Sequence, residues 1–260
     1  MHRTLVFGGT GFIGEYVLRE MDHLGEQYSV VAAATPDAEK KLEGAIHVLW
    51  LVPPVEGLLE RFSEAILNAR KLKRFVFAST LFLYAEGSAQ SEAAPLDPSN
   101  AYERAKKTEE ETLQRVFAEH PEKLVIARLA NVYGDVKNTG VVGKIFSALR
   151  DGGIVTINGD GSQVRDFIHV EDVARLLAAL LFAKDASGAY NVSTGKLCAL
   201  NEVLAKAEMI TGKKLHIVHG PAVPEKHSVA GDNTKIMQLL GISVQETLDT
   251  GLRKTYKHYQ

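Results

Sequence analysis

The chain has 260 residues, 45% of them hydrophobic, and a formal charge of −2. That length buries one sizeable core, or one domain with a smaller lobe, and the near-neutral charge gives no reason to expect nucleic acid or an anionic membrane as partner. No apolar run approaches the roughly 20 residues that span a bilayer, the first residues lack a leader pattern, and the single Cys198 excludes an internal disulfide, so a cytoplasmic, reducing setting is expected.

Taken in order, TLVFG (4–8) predicts a strand and 11–24 a helix that starts at a glycine turn. YSVVAAA (28–34) and AIHVLWLV (45–52) predict two further strands, followed by a helix over 56–71. RFVFAS (74–79) is a strand leading into a polar loop; a helix covers 101–119, and KLVIARL (123–129) is another buried strand. Strands alternating with helices imply parallel pairing with helices on both faces, a doubly wound α/β sheet. Beyond about residue 130 the rhythm changes. Helices are predicted over 139–153 and 169–183, with a short strand IVTIN between them. After residue 188 come strand AYNV, helix LNEVLAKAEMITG, strand KLHIVHG, and helices near 233–240 and 245–258. This predicts a smaller mixed lobe interleaved with the first domain.

Three stretches carry chemistry. In GGTGFIG, Gly8, Gly11 and Gly14 suit a tight turn, a close backbone approach to a pyrophosphate and close helix–strand packing. The helix opening at Phe12 and Ile13 then aims free N–H groups at the phosphates. A bare glycine turn would use the same residues. Tyr102 and Lys106, four apart in SNAYERAKKTEEE, share one helix face. An ammonium there favours the phenolate and lowers the tyrosine pKa, fitting it for acid/base work on a hydroxyl or carbonyl. FVFASTLFLY ends a buried strand at Ser79 and Thr80, placing hydroxyls at the carboxyl edge of the sheet, where open α/β folds bind ligands.

Together GGTGFIG (8–14), FVFASTLFLY (75–84), AYERAK (101–106), ARLANVYG (127–134), GDGSQVRDFIHVEDVAR (159–175), GAYNVSTG (188–195) and GDNTKIMQLLG (231–241) resemble the extended short-chain dehydrogenase/reductase family, in its nucleotide-sugar epimerase and dehydratase branch. The resemblance implies a Rossmann-type sheet that binds NAD or NADP, with NAD slightly favoured. Residues 1–135, with 160–185 interleaved, would then form the cofactor domain, and 136–260 mainly the substrate lobe. It implies Tyr102 as catalytic acid/base, Lys106 as its partner, Thr80 as the catalytic hydroxyl, and Ser79, Tyr102 and Lys106 against the cofactor, with the lysine bonding its ribose. Asn131 and Arg165 would hold the substrate's nucleotide diphosphate; a guanidinium fork matches phosphate. A homodimer through the helices at 56–71 and 101–119 is also implied. Leu81, Phe82 and Leu83 stand where dehydratases of the branch carry acidic residues, so 4-epimerisation is expected over dehydration. Reduction of a keto-sugar or small carbonyl, or dinucleotide sensing without turnover, remain open alternatives.

The chain also departs from that pattern. Only about ten residues separate the second strand from AIHVLWLV, too few for the helix-and-strand unit of roughly 30 residues that the family places there. VVAAATPD (30–37) offers neither acid nor arginine at the usual ribose position, LVPPVEG replaces a small-residue turn, and PAVPEKH (221–227) lacks a second phosphate-binding arginine, with Lys226 or His227 as substitutes. His216 and His219 face opposite sides of a strand and predict no metal site. His169 is expected to orient its turn, and Trp50 and Cys198 to pack.

Overall fold

In the computed structural model, which describes residues 4–222 and 226–260, the first half gives β1 (Thr4–Phe7), α1 (Phe12–His23), β2 (Tyr28–Val31), α2 (Ala38–Leu42), β3 (His47–Trp50), α3 (Leu58–Asn68), β4 (Arg74–Thr80), β5 (Gly87–Gln90), α4 (Ala101–Val116) and β6 (Leu124–Leu129). The second half gives β7 (Asn131–Tyr133), α5 (Val141–Asp151), β8 (Ile154–Asn158), β9 (Val164–His169), α6 (Val170–Phe182), β10 (Gly188–Val192), β11 (Leu197–Ala199), α7 (Leu200–Thr211), β12 (His216–Gly220), β13 (Ser228–Gly231), α8 (Thr234–Leu240) and α9 (Leu248–Lys257). Part of the 221–227 segment singled out in the sequence therefore lies outside the described residues.

Side chains alternate across a strand, so each buried strand feeds two cores. Leu5 and Phe7 of β1, Val48 and Trp50 of β3, Phe75 and Phe77 of β4, and Ile126 of β6 pack on one side with α2, α3 and α4. Val6, Leu49, Val76 and Val125 face the other way, onto α1 and α6. The six strands are all parallel, in the order β10-β6-β4-β3-β1-β2. This is the doubly wound Rossmann-type sheet expected from the sequence. β2 is its outer strand; the further strand that a complete sheet of this kind carries beyond it is missing among the described residues. The five-residue α2, for which the sequence reading named no element, carries the short crossover by burying Ala38 and Leu42.

The lobe centres on a third core, in which α5, α7 and α9 contribute Phe146, Val203 and Leu252. Several of its strands are too short to be read from periodicity. β5, β13, β9 and β11 form a mixed sheet, with β7 also pairing β9, and β8 pairs β12.

Trp50 is fully buried, its ring 4.8 Å from Phe7 and 5.0 Å from Phe62. Its indole nitrogen has no hydrogen-bond partner, so the residue acts as bulk. Trp50→Ala should cost about 3–5 kcal/mol of stability and Trp50→Phe clearly less, in urea unfolding followed by circular dichroism.

Candidate active site

The glycine turn is built for close approach. Gly8 takes φ +82°, and a Cβ there would lie 2.9 Å from the Leu51 backbone. A Cβ on Gly14 would lie 2.3 Å from the Gly8 carbonyl oxygen, which already accepts the Gly11 N–H at 3.1 Å. Gly11 caps α1 without any side chain, while the Phe12 and Ile13 side chains turn into the core. The opening N–H groups of a twelve-residue helix are thus left for a ligand. A pyrophosphate fits this cradle, because glycines at Gly8 and Gly14 let the turn close tightly over the start of α1. The loop after β7 reaches back to it: Lys137 is ion-paired with Glu15 in the first turn of α1.

On the ribose side, the strand end is Ala32 and Ala33, as the sequence reads. The structure adds a group that spacing did not reveal. Arg61 of α3 donates to the Ala33 carbonyl and pairs with Glu39 of α2 at 2.6 Å, closing the end of β2.

Asn100 caps α4, its side chain accepting the Glu103 N–H at 3.0 Å, and Glu103 accepts the Ser99 N–H at 2.6 Å in return. This fixes Tyr102 in the first turn, half-exposed, with Lys106 one turn deeper and buried. Tyr102 and Thr80 line one cavity with Phe82, Asn131, Asn138 and Val141. A second cavity shares Phe82, Asn131, Val141 and Phe167 with the first and extends to Lys144, Asn158, Gln163 and Arg165. One continuous groove therefore joins the hydroxyl and phenol to two cations.

Two details correct the sequence reading of this helix. The Lys106 ammonium donates to the Ala78 carbonyl at 3.0 Å and stands 3.0 Å from the Glu109 carboxylate. The Tyr102 phenol is not made more acidic: loss of hydration, then the Glu109 charge, holds its pKa above the usual tyrosine value. Ser79, placed beside the cofactor by resemblance, is buried and donates to Glu110. Thr80 accepts the Phe82 N–H at 3.2 Å and so caps the tight turn Leu81–Leu83 while facing the cavity.

Below these groups lies a network that the sequence motifs did not reveal. Arg128 of β6 grips Glu110 of α4 through two contacts, at 3.1 and 2.7 Å, and donates to the Tyr84 hydroxyl at 2.9 Å. Tyr84 in turn donates to Asn191 of β10 at 2.8 Å.

In the lobe, Asn131 donates to the Asp166 carbonyl at 3.2 Å, and Arg165 donates to the His227 carbonyl at 2.8 Å with its guanidinium over Phe82. Arg165 does not rest on Asp166, whose carboxylate accepts from Thr194 and Gly195 and is pushed up to about 6 by burial. Lys226 is committed elsewhere: it pairs with Glu103 at 2.9 Å and donates to Phe82. The second groove cation is Lys144, on α5 and exposed; an exposed lysine on a helix carries no sequence signal. His169 caps α6, and burial holds its pKa below the ordinary histidine value. Among the described residues no His/Cys/Asp/Glu cluster could hold a metal ion, and no helix is long and apolar enough to cross a membrane.

A model of the NAD dependent epimerase/dehydratase family matches residues 58–193. UDP-glucose 4-epimerase 2 of Oryza sativa subsp. japonica is 30% identical over 185 residues, 61% of this chain but 45% of that protein. ADP-L-glycero-D-manno-heptose-6-epimerase of Thiobacillus denitrificans is 24% identical over 250 residues, 77% of this chain and 75% of its own length. This chain thus spans about half the length of the rice enzyme. Among solved structures, MoeE5 in complex with UDP-glucuronic acid and NAD superposes with a TM-score of 0.88 at 25% identity, covering 98% of this chain and 97% of that one. The UDP-glucose 4-epimerase of Thermotoga maritima gives 0.86 at 24% identity, covering 98% of each chain.

The raised phenol pKa is measurable. Phenolate absorbance assigned to Tyr102, as the difference between wild type and Tyr102→Phe, should emerge above the ordinary tyrosine value of about 10. Emergence below it would restore activation by the lysine.

Proposed function

The chain belongs to the NAD dependent epimerase/dehydratase family, and from that premise we propose that it epimerises a nucleotide-activated sugar at C4 with NAD held on the glycine cradle. The observation that carries this reading is the continuous groove running from Thr80 and Tyr102 to Lys144 and Arg165. A sugar at one end and a diphosphate at the other match its chemistry, and neighbours such as MoeE5 were solved with UDP-sugars and NAD.

When bound, the dinucleotide supplies a reversible hydride acceptor. Gly8, Gly11 and Gly14, with the first N–H groups of α1, would hold its pyrophosphate, and Lys106 would bond its ribose. The Tyr102 phenol moves the proton of the reacting hydroxyl, and Thr80 hydrogen-bonds the same oxygen. Arg165 and Lys144 neutralise the diphosphate, while Asn131 positions the link between the two ends. No carboxylate stands among the described residues lining the cavity with Thr80 and Tyr102, which favours epimerisation over dehydration. Residues 1–135 with 160–185 act as the cofactor part and 136–260 mainly as the substrate part, and α3 with α4 forms the face of a homodimer. One observation favours a second reading. With β2 outermost and followed by only the short α2, the adenosine side has no further strand beyond it among the described residues, which suits a reductase that exchanges its cofactor at every turnover.

Native mass spectrometry of the purified protein separates the two: an epimerase retains dinucleotide through purification, a reductase does not. Tyr102→Phe should lower turnover of UDP-sugars about 100-fold or more with NAD affinity near wild type; unchanged turnover would sink the mechanism. Arg165→Ala and Lys144→Ala should each weaken nucleotide-sugar binding by roughly tenfold in calorimetry, with NAD binding preserved.

A further inference from the structure

Beneath the groove, Lys106 and Glu109 form a buried pair with an unusual balance. The lysine is 3% exposed and the glutamate 6%. Their charged atoms stand 3.0 Å apart, and the ammonium lies 4.5 Å from the centre of the Phe77 ring. Neither Glu109 carboxylate oxygen has a hydrogen-bond partner among the described residues. A carboxylate taken out of water without hydrogen bonds is costly unless a cation answers it, and the same holds for the ammonium.

The other charges around the pair are spoken for. On α4 itself, Glu110 is held by Arg128 of β6 at 2.7 Å, and Glu103 by Lys226 at 2.9 Å. From α3, Glu60 accepts the Thr112 hydroxyl at 3.2 Å; burial, and to a lesser extent the Glu60 charge, push the Glu109 carboxyl up. Tyr102 is neutral over the working range. Among the described residues, Lys106 otherwise lies over the Phe77 ring and bonds the neutral Ala78 carbonyl, with the Glu110 charge a smaller support. Burial lowers the Lys106 pKa and Glu109 opposes that most strongly.

We propose that Glu109 is a positioning residue acting through Lys106: its buried carboxylate is the counter-ion that keeps the lysine seated over Phe77 as an ammonium able to bond the cofactor. This rests on the reading that Lys106 touches the bound dinucleotide. A lysine left buried without its counter-ion sheds its proton as pH rises, and a neutral amine is the weaker donor to a ribose hydroxyl. Removal of the Glu109 charge therefore shifts the loss of cofactor affinity to lower pH.

NAD affinity of the full chain, measured by calorimetry from about pH 7 to about pH 10, tests this. Glu109→Gln should lose affinity by about tenfold across a range where the wild type is flat. Combining Glu109→Gln with Lys106→Arg should abolish that pH dependence, because a guanidinium stays charged. A Glu109→Gln curve that tracks wild type, or one that Lys106→Arg does not flatten, overturns the proposal. Lys106→Ala separates the two levels: unchanged NAD affinity in that variant overturns the contact between Lys106 and the cofactor, and the proposal with it. Should Glu109→Gln fail to fold by circular dichroism, Glu109→Asp serves, since its shorter reach weakens the pair; an intermediate shift supports the proposal and an unshifted curve overturns it.

Discussion

The placement of the α4 side chains beside the groove depends on one buried ion pair, Arg128 to Glu110. A guanidinium fork fixed on β6 grips a carboxylate on α4 through two contacts, which sets the rotation of the helix about its axis as well as its distance from the sheet. The rotation matters because Tyr102 and Lys106 sit on the same face of α4, and a helix turned by one residue would carry both away. Ser79 and Tyr84 complete the arrangement by bonding the same two groups from β4 and from the loop that follows it. The cost of burying two charges is offset by satisfying nearly every one of their hydrogen-bonding groups, which the Lys106–Glu109 pair one turn away does not do.

That contrast gives the two pairs different roles. A pair held by several directional bonds is rigid. A pair held by charge alone, in a dry setting, responds when either partner changes protonation. The helix thus carries a fixed anchor and an adjustable one on successive residues.

Much of this was legible before any coordinates, for physical reasons. Alternating burial gave the strands of the main sheet, since Phe75, Val76 and Phe77 must face opposite cores. Glycine restrictions gave the cradle, since Gly8 and Gly14 leave no space for a Cβ. The Tyr102–Lys106 spacing follows from helical pitch. What escaped is what depends on distant chain segments meeting. Arg61 reaches Ala33 from a different helix, Lys144 enters the groove from α5, and Glu109 sits in what reads as a solvated run of acids, KKTEEE, though it is buried. The expected lowering of the Tyr102 pKa failed for the same reason: helical spacing puts the ammonium on the right face, but says nothing of the loss of hydration around the phenol or of the Glu109 charge.

The short link between β2 and β3 also has a consequence for the molecule among its neighbours. Because β2 is terminal, lacking a strand beyond it leaves every other hydrogen-bonded ladder of the sheet intact, so the shortening removes one interface and not two. It leaves a parallel sheet with a bare rim, of the type on which another chain can add a strand. The protein limits that risk with a rim only four residues long, ended by the Arg61–Glu39 pair and the lysines of α2. Short length and charge at an open strand are the ordinary defences against unwanted pairing between copies, and here they stand at the same corner that closes the ribose end of the site.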